Sequence, residues 1–229
     1  MIVLTSDAAT IQVAALLTQY PNLEIVSSNK DEIIIAGQIN KIRSYRNYPI
    51  EIIAAIKVCI PINQDVFPTI FDEGKCIDVN YPHRYRSGKL CLATPFDICK
   101  HFLTEFDLIQ WMEDFVEPYY YSYLYYKQFG VYPFGDRSHG GSGILQSYQD
   151  YFEEPDMDVL ANILLQIKEI DSYRGHHLCF CGSGKKMRNC HGDKIILFYN
   201  NSSLRKQLSD DITLCIKEAE YERDRKTTK

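Results

Sequence analysis

The chain has 229 residues, 45% hydrophobic and 24% charged, a balance that excludes a disordered or fibrous protein and leaves room for one full domain and a smaller appendage. A formal net charge of -5 and a pI of about 5.7 argue against a nucleic-acid binder, whose footprint is basic. No apolar run reaches the roughly 18 residues of a membrane span, and Met1–Asp7 lacks the basic start of a secretion signal. The expectation is a cytoplasmic protein whose 8 cysteines serve as thiols, metal ligands or catalytic groups rather than disulfides.

In chain order, Ser6 and Asp7 are placed to cap a helix with Ile11, Ala14, Ala15 and Leu17 at helical spacing, ended by Tyr20-Pro21-Asn22. Leu23–Val26 and Glu32–Ala36 flank a polar turn and read as a β-hairpin. A basic loop, Lys41–Arg46, precedes a longer strand, Ile50–Ile60, and a Val66-Phe67-Pro68 corner. A last short strand is expected at Lys75–Val79. Helix followed by a run of strands suggests an antiparallel meander with helices on one side. Downstream, Thr104 and Asp107 suggest a capping box for a helix carrying Phe106 to Phe115. Pro118 suits the start of a tyrosine-rich helix that Gly130 would end. Helices are expected near Ile144–Phe152, Met157–Ile170 and Leu204–Arg225, with a domain boundary at Glu153-Glu154-Pro155.

Two stretches carry chemistry. Cys91 follows a Ser87-Gly88 turn, and a Pro82-His83 pair lies upstream of it, so the thiol sits in a punctuated loop as a candidate nucleophile. The other reading of Cys91 is a buried structural thiol. Arg84, Arg86 and Lys89 would favour its thiolate if their heads lie near the sulfur. Cys59 and Cys76 fall in strand-like runs, and Cys99 and Cys215 in helical ones.

The second stretch is Cys179-Phe180-Cys181, a Gly-rich turn, then Cys190-His191. Cys179, Cys181, Cys190 and His191 have the number and softness of a closed tetrahedral zinc shell, which implies a structural rather than a catalytic ion. A segment this polar buries no core, so metal binding would supply its folding free energy. Gly182-Ser183-Gly184-Lys185 lacks the earlier glycine and the following Ser or Thr of a phosphate-binding loop. Arg174, Lys185, Lys186 and Arg188 make this segment locally basic, suited first to an acidic protein surface.

The run Cys179 to His191 resembles the SEC-C zinc motif, over about residues 177–192. Ile50 to Leu92 resembles the ubiquitin-conjugating-enzyme fold, in which a meander leads through an aromatic-Pro corner (Phe67-Pro68) to a His-Pro-Asn triplet. The catalytic cysteine follows after seven intervening residues, usually preceded by Gly-x-Ile/Leu and followed by Leu. Here Tyr81-Pro82-His83 stands in place of the triplet, and Gly88-Lys89-Leu90-Cys91-Leu92 holds the cysteine. The stretch from Val116-Glu117-Pro118 to His139-Gly140 is similar to the bacterial conjugating-enzyme-like proteins of CBASS anti-phage operons.

The resemblance implies an α+β chain. It implies that residues 1–153 would form a conjugating domain (N-terminal helix, four-stranded antiparallel meander, C-terminal helices), and 154–229 a small helical zinc-binding appendage. It implies an enzyme that holds a partner protein's C-terminus as a thioester on Cys91 and transfers it to an amine. His83, in place of the triplet Asn, would donate a hydrogen bond at the site. Asp97, His101 and His139 are the candidates for a base. The implied partners are a cGAS-like nucleotidyltransferase or a ubiquitin-like protein, served by a separate activating enzyme or arriving already activated. The alternative is an inactive binding module of the same fold that docks through its zinc motif.

Overall fold

The computed structural model describes residues 3–227, with side chains described as far as 221. It is α+β: an N-terminal helix, a four-stranded antiparallel sheet, then helices. Helix α1 (Ser6–Gln19) begins one residue earlier than the sequence suggests, because the Thr5 hydroxyl takes the Ala8 N–H. Ala9, Val13 and Leu16 form its buried stripe.

The sheet runs β1 (Leu23–Ser28), β2 (Glu32–Tyr45), β3 (Tyr48–Pro61) and β4 (Thr69–Asp72), in sequence order. Asn29 turns β1 into β2 by accepting the N–H groups of Asp31 and Glu32. The expected basic loop at Lys41–Arg46 is strand instead: β2 and β3 pair in register to Tyr45↔Tyr48, and only Arg46 and Asn47, both at positive φ, make the turn. The basic side chains are drawn into pairing. Lys41 reaches the Gln19 carbonyl and the Tyr20 ring, and Arg43 pairs with the buried Glu117. Alternation then sorts the faces, with Ile33, Ile35 and Ile39 of β2 and Ile52, Ala54, Ile56, Val58 and Ile60 of β3 all buried. Each large one contributes about 1.5–3 kcal/mol by leaving water.

The last strand is Thr69–Asp72, not Lys75–Val79. After Asp72 the chain turns, with Lys75 at positive φ, and the Asp72 carboxylate captures the Ile77 N–H at 2.8 Å. That side-chain contact, invisible to a periodicity reading, takes the donor a strand would have used.

The expected capping box is replaced by Asp107 alone, which accepts the Gln110 N–H to start α3 (Leu108–Trp111). Helix continues through a π turn (Met112–Val116) into α4 (Glu117–Phe129), where two separate helices were expected. The wider turn accommodates Pro118, which has no N–H to offer. Trp111, Met112, Val116, Tyr120 and Tyr121 are buried, and Gln12 of α1 ties both ends of its amide to Phe106 and Leu108. The tyrosine stripe of α4 is therefore largely core.

The remaining helices are α2 (Pro95–His101), α5 (Gly140–Phe152), α6 (Met157–Glu169), α7 (Gly192–Asn200) and α8 (Ser202–Thr227). The chain forms two compact units. One comprises the segment up to Ala93 with Thr104–Asp136, the other Thr94–Leu103 with the chain from Arg137 onward. This division does not run at the Glu153-Glu154-Pro155 boundary, because α5 belongs with the helices on both sides of it. Tyr148 of α5 packs on Phe96 of α2 at 4.0 Å between ring centroids and donates to Asp211 of α8 at 2.9 Å. Among the described residues no helix is long and apolar enough to cross a membrane. The charged tail is helical from Lys217 on, and its side chains beyond Tyr221 lie outside the described residues.

Candidate active site and metal centre

Cys91 lies on a tight hairpin. Arg84 and Leu90 face each other across it, with the Cys91 N–H donating to the His83 carbonyl at 2.8 Å and the Tyr85 N–H to the Lys89 carbonyl at 2.9 Å. Arg86, Ser87 and Gly88 close the loop, Gly88 at φ 85°, where a side chain would be strained. The hairpin is docked to the sheet edge through Leu90 N–H to the Ile70 carbonyl and a bridge between Phe71 and Lys89.

Register decides what surrounds the sulfur. Residues opposite each other in an antiparallel pair share a face, as do residues two apart. His83, Tyr85, Lys89 and Cys91 therefore project to one side, and Arg84 and Leu90 to the other. The Tyr85 hydroxyl meets the Cys91 sulfur at 3.5 Å, and the Lys89 ammonium sits 5.9 Å from the Tyr85 ring centroid. Of the three cations expected to favour the thiolate, Lys89 shares the cysteine's face and Arg84 does not. Arg84 turns inward, its Nε buried without a hydrogen-bond partner. There its charge opposes the burial that pushes the Asp72 carboxyl up from its ordinary value, as do the Ile77 N–H and the Tyr120 hydroxyl.

His83 is held by backbone and ring. Its carbonyl accepts both the Cys91 N–H and the Tyr119 hydroxyl, the latter at 3.0 Å. Its ring lies 5.5 Å from that of Tyr81 and edge-on to Tyr132 at 6.3 Å. Its Nε2 is 3.4 Å from Asp136 Oδ1. Burial, with a hydrogen bond to Tyr132, keeps the Tyr81 hydroxyl far from ionising. Tyr85 and Asp136 are the site residues the sequence reading missed. Tyr85 had a signal, since a hairpin closed at Ser87-Gly88 puts it on the cysteine's face. Asp136, 53 residues from His83, had none.

The candidate bases belong to the other compact unit. Asp97 is engaged between α2 and α5, accepting from the hydroxyls of Thr94, the N-cap of α2, and Ser147 of α5 at 2.8 Å each. His139 is the N-cap residue of α5, and His101 packs on Phe102.

The four expected metal ligands do converge. Cys179, Cys181, Cys190 and His191 bring their ligand atoms within 4.8 Å of one another, a set positioned to bind a metal ion and compatible with zinc. Cys179–His191 Nδ1, Cys181–Cys190 and Cys190–His191 Nδ1 are each separated by 3.5 Å. A tetrahedron with Zn–S bonds near 2.3 Å has edges of about 3.8 Å, so the pairs at 3.5 Å already lie within a few tenths of an ångström of it, and only wider ones would have to close. A short hairpin bridged at Leu178 and Lys186 holds the first two thiols. A 3₁₀ turn, Met187–Asn189, then carries the chain to the second pair, with His191 at the start of α7. Burial raises the Cys179 thiol to about 11. At Cys181 burial is outweighed by the hydroxyl and N–H of Ser183 and by the neighbouring thiols, which bring it to about 6. His176 and His177 pack edge-on to each other and stand outside the four-residue set.

No family model matches the chain, and no curated protein or solved structure does.

Proposed function

We propose that the chain is a ubiquitin-conjugating-enzyme-like acyl transferase, carrying a partner protein's C-terminus as a thioester on Cys91 and passing it to an amine. One observation carries this reading: a thiol on the face of a fixed hairpin that also bears a hydroxyl against the sulfur and an imidazole opposite it. The Tyr85 hydroxyl holds the sulfur in place on that face, and the thiolate is the form that attacks. The donor carbonyl arrives activated, as a thioester or acyl-adenylate made by a separate enzyme. Cys91 Sγ forms a C–S bond to it while the donor's thiolate or AMP leaves. An amine then displaces the sulfur, giving an amide and free Cys91. The helix, four-strand meander and cysteine hairpin of the first unit follow the element order of the conjugating fold.

The metal is zinc, bound in the SEC-C manner by Cys179, Cys181, Cys190 and His191, and its role is structural. Four protein ligands leave no open position for catalysis. The partner, by the chain's resemblance to CBASS proteins, is a cGAS-like nucleotidyltransferase whose conjugation primes anti-phage signalling.

A second reading, a binding module without catalysis, is favoured by the zinc segment. No acidic residue falls between Asp171 and Asp193, while Arg174, Lys185, Lys186 and Arg188 do, and Leu178 is 66% exposed. A synthetic glycine-ending peptide α-thioester separates the two. The transferase reading expects an adduct of peptide mass on wild type that dithiothreitol removes, and none on Cys91→Ala. Wild-type protein that never acquires the mass supports the binding module.

A further inference from the structure

We infer that Lys89 is itself an acceptor amine, taking the acyl group from Cys91 to give an isopeptide bond within the hairpin. The inference rests on the thioester reading of Cys91 and names a modification site for it.

Arg84, Arg86 and Lys89 lie between His83 and Cys91, and they differ in chemistry as well as in direction. A guanidinium stays charged, whereas a lysine amine becomes a nucleophile once it loses its proton. Arg84 turns inward, and Arg86 lies in the turn that closes the hairpin. Lys89 shares the cysteine's face, two residues before it on the same arm. At a rise of about 3.3 Å per residue their Cα atoms stand about 6.6 Å apart, a span that the four-methylene lysine stem covers.

The root of that stem is fixed from both sides. The Lys89 carbonyl accepts the Tyr85 N–H at 2.9 Å, and its backbone bridges to Phe71 of β4. Tyr85 spans the two reactive groups, its hydroxyl 3.5 Å from the sulfur and its ring centroid 5.9 Å from the ammonium. A cation–π contact at that distance holds the amine weakly, and among the described residues no carboxylate pairs with Lys89. Two other lysines of the same unit are engaged: Lys57 pairs with Glu73 at 2.8 Å, and Lys41 reaches the Gln19 carbonyl.

The transfer balances without a further reagent. Neutral Lys89 Nζ forms a bond to the thioester carbonyl carbon, and the C–S bond breaks with its electron pair going to Cys91 sulfur. The proton that the nitrogen sheds passes through solvent to that thiolate, leaving an amide and a free thiol. With both groups on one face the step is intramolecular, at an effective amine concentration of about millimolar or more. An amide is far less reactive than a thioester, so the partner's C-terminus stays on Lys89, beside a nucleophile that is free again.

The test uses the full chain loaded from the synthetic peptide α-thioester, with intact mass followed over time in samples split with and without dithiothreitol. In wild type the adduct is expected to be thiol-labile when first formed and then to become resistant. Tandem mass spectrometry should place the resistant mass on Lys89. Diluting loaded protein, freed of excess thioester, should leave the rate constant unchanged. Lys89→Arg keeps the charge, and the fraction of its loaded adduct that turns resistant should fall about tenfold or more, a ratio in which any change in loading cancels. Cys91→Ala, given the same thioester, should acylate Lys89 about tenfold more slowly or less. A wild-type adduct that stays thiol-labile, or a resistant mass on another residue, overturns the inference and leaves the thioester reading intact. So does a Lys89→Arg adduct that converts like wild type, or a Cys91→Ala protein acylated on Lys89 as fast as wild type. Wild type that never acquires the peptide mass overturns both.

Discussion

Asp211 offers a prediction that can be worked from physical quantities. It lies on α8 with 2% of its surface exposed, accepting the Tyr148 hydroxyl at 2.9 Å and the Gln207 amide at 2.9 Å. Burial raises its carboxyl from 3.8 to about 6, against those two hydrogen bonds and with help from the nearby Asp210 and Asp97. An unfolded chain holds this proton only to about pH 4, a folded one to about pH 6. The native state therefore binds more protons across that window, and stability falls as pH rises through it. The contribution is fully present below 3.8 and gone above about 6. The change is of order 3 kcal/mol, at about 1.4 kcal/mol per pH unit. Asp211→Asn should remove it. At pH 7.5 the variant should be more stable by about 1–2 kcal/mol, less than the full amount because an amide offers only one acceptor to two donors. Denaturant-dependent hydrogen exchange on peptides from α5 and α8, at pH values from 4 to 8, measures the difference between the two proteins. A difference that stays constant across that range, or that favours wild type at high pH, would refute the reasoning.

Three further outcomes follow from other contacts. Tyr85→Phe removes the hydroxyl at the Cys91 sulfur, and iodoacetamide alkylation of Cys91 at pH 7 should slow about 3- to 10-fold; an unchanged rate would separate the hydroxyl from the thiol's reactivity. Glu117→Ala strips the buried carboxylate that joins Tyr20, just past α1, to Arg43 of β2, at a cost of about 2–3 kcal/mol, read from the emission of the single tryptophan, Trp111, during urea unfolding. Elemental analysis should find about one zinc per chain. Stripping it with a chelator, or Cys190→Ser, should open residues 172–192 to fast hydrogen exchange, whereas protein with no metal and slow exchange there would remove the zinc assignment.

What could be read from residues alone follows the range of the interactions involved. Alternation in Ile33–Ile39 and Ile50–Ile60 marks the sheet faces locally, and the Cys-x-Cys and Cys-His pairs carry the metal cluster in their own spacing. Both survive because each signal is complete within a few residues. Lys41–Arg46 looked like a loop because its charges seemed to need water, yet Glu117 and Tyr20, far along the chain, supply their partners. Lys75–Val79 had strand-like composition, but the Asp72 side chain takes the Ile77 N–H first. Helix α2 did have a local signal, Thr94-Pro95, since Thr94 caps it and proline suits its first turn. Helix α7 was hidden by the metal segment that runs directly into it. At the active site Cys91 and His83 were legible, whereas Asp136 could enter only once the chain from Gly130 onward had folded back to His83.

The most direct test of the central claim is to recover this chain from cells that also express the proteins encoded beside it, and to map any covalent adduct on Cys91. The transferase account predicts a partner's C-terminus attached there, released by dithiothreitol and absent from Cys91→Ala. Wild-type protein carrying an unmodified Cys91 alongside every such partner would contradict it.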